Sequence, residues 1–266
     1  MLRRIYIDSR YRSSGTDSDF TYDLPVSLEI PDNTIGFVDS VFFPNVFTSI
    51  HDLNNRLYLI EVDSTNAQEK IILLQPGNYT GQELASLLQS SLNANTIYSV
   101  GYDETKGKLT ISNPTTTWLI PTRKELMEAG GTWASSAIPE NDFRTCYDVI
   151  GFADDPTQYQ NGVFTGENFV DLVPYETLFL CSSTIGNLGQ SVGPVGQSDI
   201  VRRIVVNAPF GNNVHEVHST NAHYVDCSNT TLSQMRWRLT DAVGRTVDLS
   251  GHGISFSVCF LDKAVV

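Results

Sequence analysis

The chain has 266 residues, 41% hydrophobic and 18% charged, a balance that excludes an intrinsically disordered chain and allows one large β domain or two smaller ones. Its 30 acidic against 17 basic residues give a net charge of −13. That argues against direct nucleic-acid binding, because neutralising phosphates with Lys and Arg supplies most of such a protein's affinity. No window approaches the roughly eighteen consecutive apolar residues of a membrane span, and the opening MLRRIYIDSR lacks the apolar run of a signal peptide.

Leu2 to Ile7 reads as the first strand, with Arg3, Arg4, Arg10 and Arg12 in and just after it. Phe20, Tyr22 and Leu24 alternate with Thr21 and Asp23 until Pro25, which is expected to stop that strand. Leu28 and Ile30 lead to a turn at Pro31-Asp-Asn33. Ile35 to Phe43 is nearly all apolar, as in a strand buried on both faces. Leu57 to Val62 alternates again.

The texture then changes. Lys70 to Leu74 is a strand closed by Pro76-Gly-Asn78. Thr80 and Glu83 have capping-box spacing, and Leu84, Leu87, Leu88 and Leu92 recur at helical spacing, so a helix of about three turns follows. Tyr98, Val100 and Tyr102 alternate as a strand, Asp103 to Gly107 turns, and Lys108 to Ser112 returns as a hairpin. Trp118 to Ile120 is a short strand. Thr122 and Glu125 repeat the capping spacing. Asp142 to Phe152 reads as a short helix stopped by Gly151, and Asp155 to Gly166 as polar loop.

Leu178 to Cys181 is a strand, and the glycine-rich Gly186 to Gln197 a long loop. Ser198 to Val206 leads into a strand, with helix as the rival reading for its first half. Val214 to His218 is weaker. The strongest β signal comes last. Met235, Trp237 and Leu239 share one face, with Arg236, Arg238 and Thr240 opposite. Ile254, Phe256, Val258 and Phe260 then face away from Ser255, Ser257 and Cys259. Val247 to Leu249 is expected to pair between them. So apolar a terminal strand must be paired and covered. The two β-rich ends therefore form one sandwich around an inserted middle. The expected fold is mainly β: a single jelly-roll sandwich from the N- and C-terminal segments (1–63 and 171–266) with an inserted α+β domain (64–170).

Chemistry is sparse. Cys146, Cys181, Cys227 and Cys259 form no CxxC and read as buried free thiols. Gly189-Gln-Ser191-Val-Gly193 matches GxSxG, but neither a strand directly before it nor a helix directly after it is legible. His215, His218 and His223 cluster near Glu216. His215 and His218, three apart, would point to opposite faces of a strand, which is wrong for shared metal ligation. No phosphate-binding, dinucleotide-binding, zinc-protease or calcium-loop motif occurs. No enzyme, metal or cofactor is expected.

Several segments carry a resemblance. Ile5-Tyr-Ile-Asp-Ser-Arg10, Ser198-Asp-Ile-Val-Arg-Arg203 and Leu239-Thr-Asp-Ala-Val-Gly244 followed by Ile254-Ser-Phe-Ser257 resemble the minor capsid (penton) proteins of polinton-type elements, virophages and related large DNA viruses. So does the middle unit, through Pro76-Gly-Asn-Tyr-Thr80, the leucine helix, Tyr102-Asp103, Lys108 to Ile111 and Ile150-Gly-Phe152. The resemblance implies a jelly roll with an insert. It also implies a homopentamer closing each fivefold vertex of an icosahedral shell, in contact with the major capsid protein of the same virus. It brings no catalytic residues, and it implies assembly inside the host cell, in cytoplasm or nucleus. Arg3, Arg4, Arg10, Arg12, Arg202 and Arg203 are the candidates for ion pairs between subunits, with pairing inside the chain the alternative for each. Two other functions stay open. One is a receptor- or glycan-binding spike or fibre protein, with Trp118 and Trp133 as an aromatic platform on the insert. The other is a hydrolase using Ser191.

Overall fold

The computed structural model describes residues 3–62, 66–93, 98–129, 132–134, 136–137, 143–153, 162–185, 191–194, 196–217 and 224–265. The first strands are β1 (Arg3–Asp8), β2 (Ser14–Gly15), β3 (Asp19–Glu29) and β4 (Thr34–Pro44). The middle holds β5 (Arg56–Val62), β6 (Ala67–Leu73), β7 (Ser99–Asp103), β8 (Lys108–Ser112), β9 (Thr117–Leu119), β10 (Thr132–Trp133), β11 (Ser136–Ala137) and β12 (Val163–Thr165). Helices α1 (Gly81–Leu92), α2 (Arg123–Glu128) and α3 (Tyr147–Ile150) lie among them. Last come β13 (Thr177–Cys181), β14 (Ile200–Val205), β15 (Asn213–Val217), β16 (Val225–Asp226), β17 (Thr231–Thr240) and β18 (Ser255–Asp262).

The chain divides into two compact units, residues 1–47 with 175–266, and residues 48–174. The first junction thus precedes the 63/64 division read from the sequence. Arg56–Val62 alternates like a sandwich strand, but β5 pairs with β6 and β9 inside the second unit.

The first unit is a jelly roll. Its eight main strands are β1, β3, β4, β13, β14, β15, β17 and β18. The first pairs with the last, the second with the seventh, the third with the sixth and the fourth with the fifth, all antiparallel. Such a folded ribbon wraps into two sheets, here β1-β18-β4-β15 and β14-β13-β17-β3-β2. The period-two side chains of β17 and β18 meet between them. Trp237 and Phe256 pack edge to face with ring centroids 4.7 Å apart, inside a core that includes Ile7, Phe20, Val41, Leu180 and Leu239. At Gly36 the sheet needs glycine, because a methyl there would sit 2.7 Å from Cys227 Sγ.

Three strand readings are corrected. Pro25 does not stop β3, which runs on to Glu29. The register against β17 jumps from Asp23↔Gln234 to Leu28↔Leu232, so Pro25 sits in a bulge where no ladder N–H is required. Val247 to Leu249 makes no strand. Thr246 forms a single bridge to Thr240, and Val247 and Leu249 are buried beside it. The apolar run in β4 is buried on both faces only from Thr34 to Val38. Beyond that it alternates and leaves Phe42 exposed.

The second unit holds two three-stranded sheets, β6-β5-β9 and β12-β8-β7. Helix α1 starts with the expected capping box: Glu83 N–H donates to Thr80 Oγ1, and Thr80 N–H donates back to Glu83 Oε2. Leu84, Leu88 and Leu92 bury its apolar face. Thr122 and Glu125 cap α2 in the same way. Helix α3 is shorter than expected and ends at Gly151 in the left-handed region (φ 76°), close beneath Asn168 O. Val163–Thr165, read as loop, forms β12 against β8. With only Phe164 buried, it offered too short a pattern to recognise.

Candidate subunit interface

The arginines singled out by sequence mostly find partners within the chain. Arg3 donates to Glu29 O at 2.6 Å. Arg4 lies over β18, with Nε donating to Cys259 Sγ (3.2 Å) and a guanidinium nitrogen 3.3 Å from Asp39. Asp39 is the extra residue of a bulge in β4, where Ser257 faces Ser40 and Val258 faces Val38. Arg10 forks onto Asp8, and this contact holds the Asp8 carboxyl below its ordinary range. Arg12 reaches Asp17 (2.7 Å) and the carbonyls of Ser9 and Gly15.

Arg202 is corrected outright. Its side chain is 2% exposed and points into the sandwich, where it donates to Val38 O of the opposite sheet and to Glu216 Oε1, both at 3.0 Å. Glu216 Oε2 also accepts the Val205 N–H. The pair is a clasp joining β14 to β15 along one side of the jelly roll, out of reach of another subunit. Its neighbour Arg203 faces the other way. It is exposed on the outer side of β14, opposite Phe179, and its side chain makes no ion pair or hydrogen bond among the described residues.

The tryptophan platform is also overturned. Trp118 is fully buried and Trp133 nearly so, both in the core of the second unit. Trp118 packs edge to face on Tyr98 and donates Nε1–H to Gly162 O. Trp133 packs on Tyr58 and donates to Lys70 O. An indole with both its ring and its N–H used inside has nothing to present. Near them Tyr98 Oη and Lys70 Nζ both donate to Glu61. Burial and that carboxylate push the Tyr98 phenol above its ordinary range.

The four cysteines are free and buried, as expected. Burial pushes Cys181 and Cys227 up to about 11 and Cys146 up to about 12. Ser191 donates to Ser198 O within its loop; Gly189 and Gln190 lie outside the described residues. Of the histidine cluster, His215 is on β15, and His218 and His223 lie outside the described residues. Among the described residues no group of His, Cys, Asp and Glu is placed to hold a metal ion. No helix there is long and apolar enough to cross a membrane.

Sequence reading missed the outer face of the β1-β18-β4-β15 sheet. Asp8, Ser255, Phe42 and His215 lie on one rung across the four strands, and Tyr6, Ser257 and Ser40 on the next. Tyr6 and Tyr11 are 71% and 77% exposed. Together with Phe42 and His215 they line a cleft of about 410 Å³. A second of about 400 Å³ shares Asp8, Phe42 and Ser255 and adds His252. The signal was present in the alternation of β1, which turns Tyr6 away from Ile5 and Ile7.

No protein-family model matches this sequence, and no curated protein matches it either. Among solved structures, the crystal structure of the selenomethionine-labelled mavirus penton protein is similar to this chain with a TM-score of 0.51. The likeness covers 98% of this chain and 99% of that one, at 9% sequence identity. The resemblance read in the sequence is therefore one of fold, carried over nearly the whole length.

Proposed function

We propose that this chain is a penton-type capsid subunit, five copies of which close a fivefold vertex in the icosahedral shell of a double-stranded DNA virus. The observation that carries this reading is the shared fold with a penton protein across both units, the jelly roll and its α+β insert. The jelly-roll pairing supports it, since a two-sheeted sandwich presents two different outer faces, as a ring of identical subunits requires. The acidic balance agrees with a subunit that touches other proteins rather than packaged nucleic acid. In this reading the work of the protein is binding, not catalysis. Its partners are its own copies and the major capsid protein of the same virus, and its final location is the capsid vertex.

Light scattering after gel filtration tests the proposal. A mass of five times 29.4 kDa is the expected outcome. A stable trimer would overturn it in favour of a spike or fibre role.

A further inference from the structure

A ring closed by rotation needs two different patches on each copy, each the complement of the other. The outer faces of the two sheets carry such a pair. On the β1-β18-β4-β15 face, Tyr6, Tyr11, Phe42 and His215 wall the cleft of about 410 Å³, and Asp8 stands on its rim. Small hydroxyl side chains also line it, Ser40 and Ser257 hydrogen-bonded at 3.0 Å with Ser255 on the next rung, beside Ile7, Tyr22 and Phe256. The Asp8 carboxylate is already held by Arg10, while the aromatic walls beside it suit a cation, above all a planar guanidinium that can stack on them.

The other sheet offers one. Of the arginines in the jelly-roll unit, Arg4, Arg10, Arg12, Arg202, Arg236, Arg238 and Arg245 each pair with a carboxylate of the chain, and Arg3 with a carbonyl. Arg203 alone makes no side-chain partner there among the described residues. It stands opposite Phe179 and two residues from Val205, which is 43% exposed. A second observation is independent of these contacts. The unit's ten basic residues other than histidine are nine arginines and Lys263, whereas the insert has Arg56, Arg123 and Arg144 against Lys70, Lys106, Lys108 and Lys124. Arginine and aromatic enrichment with lysine depletion is the composition of protein–protein contacts.

We propose that Arg203 of one copy enters the aromatic cleft between Tyr6, Tyr11 and Phe42 of the next copy. The contact is head-to-tail and directional, and it rests on the ring reading above. The occupant is a second copy of this chain because the chain itself supplies the cation that the cleft fits.

The test joins the two faces covalently. Phe42→Cys and Val205→Cys are placed in one chain, whose native thiols are buried, and the protein is oxidised at high concentration. The expected result is a disulfide ladder ending at five subunits, with no dimer from either single variant. Arg203→Ala should raise the concentration at which rings form at least about tenfold, with partial recovery in Arg203→Lys. Native mass measurement separates the failures. A pentamer without a ladder overturns the Arg203 contact, leaves the penton reading standing and assigns the cleft to another occupant. A monomer without a ladder overturns the contact as a property of the chain alone. A ladder ending at three overturns the penton reading itself.

Discussion

The two units place most of their large aromatic side chains differently, although the insert also leaves Phe169 exposed. The insert buries Trp118, Trp133, Tyr58 and Tyr147 and satisfies their polar atoms internally. The jelly roll buries Trp237 and Phe256 but leaves Tyr6, Tyr11 and Phe42 on one outer face. They also differ in how they close. The insert is built largely from neighbours in sequence, such as the β7-β8 hairpin and α1 beside it. The jelly roll joins its first strand to its last, Ile5 opposite Val258. The lesson is that aromatic content marks a surface only where the fold turns the rings outward. Tyr6 on β1 and Tyr11 in the turn after it are exposed, whereas the insert's tryptophans are not.

The comparison breaks most sharply in the jelly-roll core. Trp237→Ala removes the ring that meets Phe256 across the sandwich and should cost about 3–5 kcal/mol, read as a lower urea midpoint. Next comes the clasp. Removing one partner of a fully buried ion pair costs roughly 3–5 kcal/mol, and Glu216 is partly exposed, so about 2 kcal/mol is expected for Glu216→Ala. That change should loosen amide protection in β14 and β15, and unaltered protection there would contradict the clasp. Thr80→Ala acts on the other unit. Losing the cap should cost about 1 kcal/mol and speed hydrogen exchange in α1 while the jelly-roll strands stay protected.

A further test separates the units by pH. In the unfolded chain the thiols titrate near their ordinary 9.0, but burial raises Cys181 and Cys227 to about 11 and Cys146 to about 12. Above pH 9 the unfolded state therefore gives up protons that the folded state keeps, and stability falls as pH rises through that window. Three of the four thiols are in the jelly roll, Cys259 included, and only Cys146 is in the insert. Denaturation followed at rising pH should show the jelly roll weakening first, and replacing Cys181 and Cys227 with Ala should flatten the trend.

Much of the fold was legible because its causes are local. The alternation of Met235, Trp237 and Leu239, the two capping boxes and the stop at Gly151 each depend on a few adjacent residues, and each stands where it was read. Pro25 was misread because a bulge set by the register of β17, two hundred residues away, removed the need for its missing N–H. The candidate site was far less legible. The arginines read together as candidates for ion pairs between subunits, with pairing inside the chain the alternative for each. Arg202 and Arg203 are adjacent, yet strand geometry sends one into a buried clasp and the other to the outside.

The sequence by itself determined which segments extend, which coil into helix, and which side of the last two strands is apolar. Those outcomes follow from backbone geometry and the spacing of apolar residues within a few positions. Only the tertiary structure decided that β1 pairs with β18, that β5 belongs to the insert, and that the tryptophans of the insert lie inside. It also decided that Tyr6, Tyr11 and Phe42 gather on one exposed face. Pairing and burial depend on residues far apart in the chain, and no local pattern encodes which distant surface will cover a given side chain.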